Sequence, residues 1–250
     1  MQSAPAPVIM VHGAFCGGWV FDAFRAPFEA AGHTVLTPTL PGHAPGESAA
    51  GQSVSDYVEA IVKLCAEQPQ PPLLLGHSLG GLVAQMAADR APVAGLMLLA
   101  PSSPWGVSGQ SLEEGISALG LLSLGAYWLS AVAPDQTVTT SFSLNRLDAA
   151  SQRAIYALMA PESGRALFEV LNWWLDPTMT TRVRDGGGAR ALTLAGGKDL
   201  INPAATVRRT AERLGGEFRM FEGMSHWLPG EPGWEDVADA CLSWISASGE

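Results

Sequence analysis

Basic residues are scarce in this 250-residue chain: 14 Lys and Arg face 24 Asp and Glu, a formal net charge of −10. A surface of that sign repels phosphate backbones and offers no basic stripe to an anionic bilayer, so nucleic acid is not an expected partner. Cysteine is scarcer still. Cys16, Cys65 and Cys241 are odd in number and share no metal-ligand spacing, which fits a reduced, cytoplasmic setting and points to neither a metal site nor a cofactor. The first residues, Met-Gln-Ser-Ala-Pro-Ala-Pro, lack the basic start and apolar stretch of a signal peptide, so none is expected. Long uncharged runs are also few. Residues 116–133 just reach membrane-spanning length, but Ser117, Gly120, Ser123, Gly125 and Ser130 dilute them. They lie mid-chain between strand-like segments, so a buried or cap helix is expected there and no membrane span.

What is present is apolar sequence, 47% of the chain, arranged as short runs that alternate with amphipathic segments. Val8 to Val11 reads as a buried strand, residues 19–31 as a helix stopped by Gly32, and residues 34–36 as a second strand. Ser53 reads as the N-cap of a helix to about Glu67, whose apolar face is Val54, Val58, Ile61, Val62 and Cys65. Leu73, Leu74 and Leu75 form a third strand, followed by a helix to about Arg90 and a strand over residues 94–100. After an interruption, the alternation resumes with strands over residues 191–195 and 217–221, each followed by a helix. Such alternation predicts an α/β fold with a mostly parallel sheet of about six strands, covered by helices on both faces. The interruption, residues 101–188, is too long for a plain loop and is expected to form a helical cap. The core is then residues 1–100 and 189–250.

Gly76-His77-Ser78-Leu79-Gly80 carries the strongest chemical signal. A serine on a tight strand-to-helix turn needs small neighbours on both sides, and the turn lifts its hydroxyl clear of the sheet. Serine also needs a base. Of the five histidines, His12, His33, His43 and His77 read as structural or surface-turn residues, whereas His226 follows the last strand, at an end facing the Ser78 turn. The acid that orients the base is expected between them in chain order. Asp199, in the turn Gly196-Gly197-Lys198-Asp199, is the leading candidate, with Asp176, Asp185 and Glu222 as rivals. Oxyanion donors are expected from the backbone N–H of Leu79 and of Ala14 in the loop His12-Gly13-Ala14-Phe15, with Phe15 N–H the second choice. Phe15, Trp105 and Trp227 are the candidates for the substrate pocket.

These motifs, together with Gly32-His33, Leu40 to His43 and Ser225-His226, resemble the α/β-hydrolase superfamily over nearly the whole chain. The stretch His12-Gly13-Ala14 with Gly17-Gly18-Trp19 is similar to plant methylesterases, hydroxynitrile lyases and related bacterial esterases. The resemblance implies a serine esterase acting through an acyl-enzyme on a small to medium apolar ester, lactone or thioester. Other serine-triad reactions of the fold (C–C bond hydrolysis, perhydrolysis, acyl transfer) remain open, as does a slow-turnover ligand receptor. Hydroxynitrile lyases carry Lys after the catalytic His and Thr where this chain has Gly13; Trp227 follows His226 here, which argues against cyanohydrin cleavage. Ser78 likewise disfavours the aspartate-nucleophile enzymes of the fold. The sequence leaves the oligomeric state open.

Overall fold

The computed structural model describes residues 4–107 and 125–247. Six strands form one wholly parallel sheet: β1 (Val8–Val11), β2 (Val35–Leu36), β3 (Leu73–His77), β4 (Gly95–Leu99), β7 (Ala191–Gly196) and β8 (Glu217–Phe221). Their order, β2-β1-β3-β4-β7-β8, places successive connections on opposite sides of β1. The crevice beyond the carboxyl ends of β1 and β3 is therefore the switch point where a ligand site is expected.

The central strands β1, β3, β4 and β7 are buried throughout, as strands covered on both faces must be. One apolar cluster lies on each face. Phe21, Phe24, Phe28, Met97, Leu192 and Trp244 pack on one side, and Tyr57, Val58, Ile61, Leu82, Met86 and Leu98 on the other.

Helix α2 (Val54–Ala66) begins at the expected Ser53, which closes a capping box with Asp56. Two expectations for the first helices need correction. The segment 19–31 is not one helix but a 3-10 turn, Gly18–Phe21, followed by a short α1 (Ala26–Ala30) with Pro27 in its first turn. Pro27 has no N–H for a preceding carbonyl, so the helix must restart there. On α2, Tyr57 is buried and Val62 only half-buried.

The described part of residues 101–188 contains less regular helix than expected. Their described part holds a 3-10 turn (Tyr127–Leu129) and an antiparallel pair, β5 (Ala131–Val132) with β6 (Glu162–Ser163). A helical turn (Gln136–Val138) runs into a π-helical stretch (Thr139–Ser143). The helices α4 (Ala149–Tyr156) and α5 (Gly164–Leu171) and a last 3-10 turn (Trp173–Leu175) complete it. Residues 116–124 of the apolar stretch lie outside the described residues, and its remainder is the 3-10 turn and β5 rather than a helix. No described helix is long and apolar enough to cross a membrane. The described part of the segment lies against the body. Ala160 N–H donates to Phe15 O at 2.9 Å, Ser163 Oγ to Gln52 O at 2.6 Å, and Glu169 accepts from Val54 N at 2.8 Å.

Candidate active site

Ser78 follows β3 directly and adopts φ 53°, ψ −121° before α3 (Leu79–Ala88) begins. A non-glycine residue with positive φ is held there only by its surroundings. Those surroundings are tight: a methyl on Gly76 would run into the Gly80 carbonyl, and one on Gly80 into the carbonyls of Val11 and His12. Glycine at both positions lets strand and helix meet at so sharp an angle. The Ser78 hydroxyl therefore projects at the carboxyl edge of the sheet, although the residue is only 8% exposed.

His226, in the loop after β8, presents Nε2 to Ser78 Oγ at 3.0 Å. Its Nδ1 lies 2.9 Å from Asp199 Oδ2. A carboxylate only accepts, so neutral His226 carries its proton on Nδ1 and turns an Nε2 lone pair toward the serine hydroxyl. The other oxygen of Asp199 accepts from Ile201 N at 2.8 Å and Asn202 N at 2.9 Å, which locks the carboxylate. The structure thus brings together the three residues that the sequence selects from separate strand ends. The rivals lie elsewhere: Asp176 bonds Thr178 and Thr180, Asp185 pairs with Arg213, and Glu222 is exposed.

Behind His226, His77 Nε2–H donates to the His226 carbonyl at 2.9 Å. Burial first, then the neighbouring His226, lowers the pKa of His77 to about 3, so it remains neutral. Trp227, 4% exposed, packs between Trp19 and His77. Trp105 stacks edge-on against Trp173, at 5.5 Å between ring centroids.

The loop after β1 runs beside the serine. His12 accepts from Leu40 N at 2.9 Å through Nε2, so Nδ1–H donates to Gly13 O at 2.8 Å. Burial lowers its pKa to about 4 and keeps it in this neutral form. Phe15 N–H, the second candidate oxyanion donor, is already engaged by Glu162 Oε2 at 3.2 Å. Among the described residues, no acceptor meets the N–H of Ala14 or Leu79.

A family model described as "Alpha/beta hydrolase family" matches residues 8–240. The chain belongs to this family. A carbendazim-hydrolyzing esterase of Nocardioides sp. is 38% identical over 91 residues, 34% of this chain and 36% of that protein. Methylesterase 3 of Arabidopsis thaliana is 33% identical over 90 residues, 34% of each chain. The chain thus spans about a third of the length of these curated relatives. The crystal structure of a Paleococcus ferrophilus monoacylglycerol lipase superposes with a TM-score of 0.71, covering 97% of this chain and 96% of that one at 22% identity. That likeness is one of fold.

Two members of this α/β hydrolase's buried polar framework escape a reading of the sequence. His43, expected in a surface turn, has a wholly buried side chain and lies 3.0 Å from Glu162 Oε2. Glu162 itself is 0% exposed and also accepts from Tyr57 OH at 2.7 Å and Ser163 N at 2.7 Å. Burial alone would raise the pKa of Glu162, but hydrogen bonds and the charge of His43 hold it below the usual carboxylate range. Burial would lower His43, yet its bond to Glu162 and that charge raise it. The two residues lie 119 positions apart in sequence, and no local pattern signals a contact of that kind. Among the described residues no group of His, Cys, Asp and Glu could hold a metal ion.

Proposed function

We propose that this α/β hydrolase is a serine esterase in which Ser78 is the nucleophile, His226 the base and Asp199 the orienting acid. The observation that carries the proposal is the hydrogen-bonded line Asp199–His226–Ser78, with spacings of 2.9 and 3.0 Å, on a strained strand-to-helix turn. As Ser78 Oγ attacks an ester carbonyl carbon, its proton passes to His226 Nε2, and Asp199 stabilises the imidazolium. The carbonyl oxygen takes the negative charge and is received by the N–H groups of Leu79 and Ala14, neither of which has another acceptor among the described residues. His226 then protonates the departing alcohol, leaving an acyl-serine. A water molecule, deprotonated by His226, releases the carboxylic acid and restores the serine. The names of the carbendazim-hydrolyzing esterase and Methylesterase 3 support ester cleavage as the reaction.

The substrate proposed is a small to medium apolar carboxylic ester. Residues 101–188 act as a cap over the body of residues 1–100 and 189–250, and their aromatic content favours an apolar acyl group. Each buried methylene contributes about 0.8 kcal/mol, so kcat/KM should rise several-fold with each one and roughly tenfold from acetate to butyrate. The test is a p-nitrophenyl acetate, butyrate and hexanoate panel beside a fluorophosphonate label. Ser78→Ala should lose the label and at least ~10⁴-fold in turnover with an unchanged circular dichroism spectrum. Near-full activity of that variant would sink the assignment, and a rate that is flat or falls from acetate to hexanoate would sink the apolar acyl preference.

A further inference from the structure

The peptide planes on either side of Ala14 are held from two directions. On the first, His12 Nδ1–H donates to Gly13 O at 2.8 Å. A trans peptide sets its carbonyl and N–H antiparallel, so the Ala14 N–H points away from His12. On the second, Phe15 N–H donates to Glu162 Oε2 at 3.2 Å, and in the next peptide Phe15 O accepts from Ala160 N at 2.9 Å. Phe15 has φ 64°, a conformation that a bulky residue keeps only when its neighbours impose it. His12 is part of the loop, but Glu162 lies 147 residues beyond Phe15 in the chain. Its carboxylate receives Phe15 N, His43 Nε2, Tyr57 OH and Ser163 N. Those four donors fill the usual capacity of a carboxylate. Glu162 therefore has no lone pair free to act as a base, and its fixed geometry is what it can offer the site. His43, which donates to Pro41 O through Nδ1 at 3.2 Å, supplies the compensating positive charge.

We propose that Glu162 is a positioning residue for the oxyanion hole: it fixes the Ala14–Phe15 peptide and, with His12 holding the preceding plane, sets the Ala14 backbone so that the Ala14 N–H meets the developing oxyanion. The inference rests on the esterase reading of Ser78, His226 and Asp199, and it makes the hole incomplete without a residue from the inserted segment.

The test compares wild type, Glu162→Met and Tyr57→Phe in ester turnover, thermal midpoint and affinity for a trifluoromethyl ketone, whose adduct with Ser78 carries an oxyanion. Methionine keeps the volume and removes the acceptors. It should lower kcat about 10- to 100-fold, with KM changing less than about threefold, because a misaimed donor is missed chiefly in the transition state. Ketone affinity should fall in parallel. Tyr57→Phe removes a bond to Oε1 and leaves Oε2 with Phe15. It should lower the thermal midpoint while keeping kcat within about twofold, since no donor to the oxyanion moves. The proposal is overturned if Glu162→Met keeps kcat within twofold, or if Tyr57→Phe loses as much kcat. Should Glu162→Met not fold, deuterium exchange at the wild-type Phe15 amide decides: strong protection is expected, and exchange at the rate of an open turn overturns the proposal. A wild type that neither cleaves esters nor takes the label at Ser78 defeats the esterase reading and this inference with it. An active wild type with an unaffected Glu162→Met defeats this inference alone.

Discussion

Asp199 divides its two oxygens between different tasks. Oδ1 is held by the amides of Ile201 and Asn202, and Oδ2 meets His226. An asparagine there would keep the shape but could direct its NH2 at Nδ1, favouring the tautomer with the proton on Nε2. On the triad precedent, Asp199→Asn should lower kcat by as much as ~10⁴-fold with an unchanged fold, measured by steady-state kinetics beside circular dichroism. Glu222→Gln, at an exposed position, should leave kcat near wild type, and the reverse pattern would reassign the acid. Ser78, Asp199 and His226 are legible in the sequence as candidates because each stands at or in the loop after the end of a strand-like run, and chain order suggests a distinct role for each. Glu162 is not legible at this scale. It sits between Pro161 and Ser163 with no motif around it, and only its buried donors reveal what it holds.

At the scale of elements, what is local can be read from the sequence. Ser53 Oγ accepts from Asp56 N at 3.2 Å, and Asp56 returns a bond to Ser53 N at 2.7 Å, a contact among residues three apart. Ser53→Ala should cost about 1 kcal/mol, which for a chain of this size lowers Tm by roughly 2–4 °C. Scanning calorimetry with no measurable drop would show that the capping box contributes nothing net. The break before α1 follows from one imino acid, Pro27, inside an otherwise periodic stretch. On α2, by contrast, periodicity selects Val62 for the core. Tyr57 is buried instead because its hydroxyl finds Glu162 at 2.7 Å, and a buried phenol is tolerable once its O–H is satisfied.

Across the whole molecule, the His43–Glu162 pair joins the body to the inserted segment, and its effect on stability depends on pH. Glu162 titrates below its ordinary 4.5, so its contribution is present above pH 4.5 and is lost as pH falls through the lowered value. His43 titrates above its ordinary 6.5, so its contribution is complete below pH 6.5 and is lost as pH rises through the raised value. Both are in force between those limits. The difference in Tm between wild type and His43→Asn should therefore be largest between pH 4.5 and 6.5 and shrink on either side. A difference that stays flat from about pH 3 to about pH 9 would show that the pair is not ionised in the fold.

The sequence by itself determined the alternation of strands and helices, the turn at Ser78, the candidate base and acid, and the break in the alternation at residue 101. Each is encoded within a few residues by apolar period, glycine spacing or chain order, and parallel crossovers admit few other arrangements. Only the tertiary structure decided that β5 pairs with β6, that His43 is buried and that Phe15 N–H is already engaged. These outcomes depend on backbone and side-chain groups about 30 to 150 residues apart meeting in the fold, the last two where water is largely excluded. There an unpaired donor or charge is costly enough to select one arrangement, and no local pattern announces the partner.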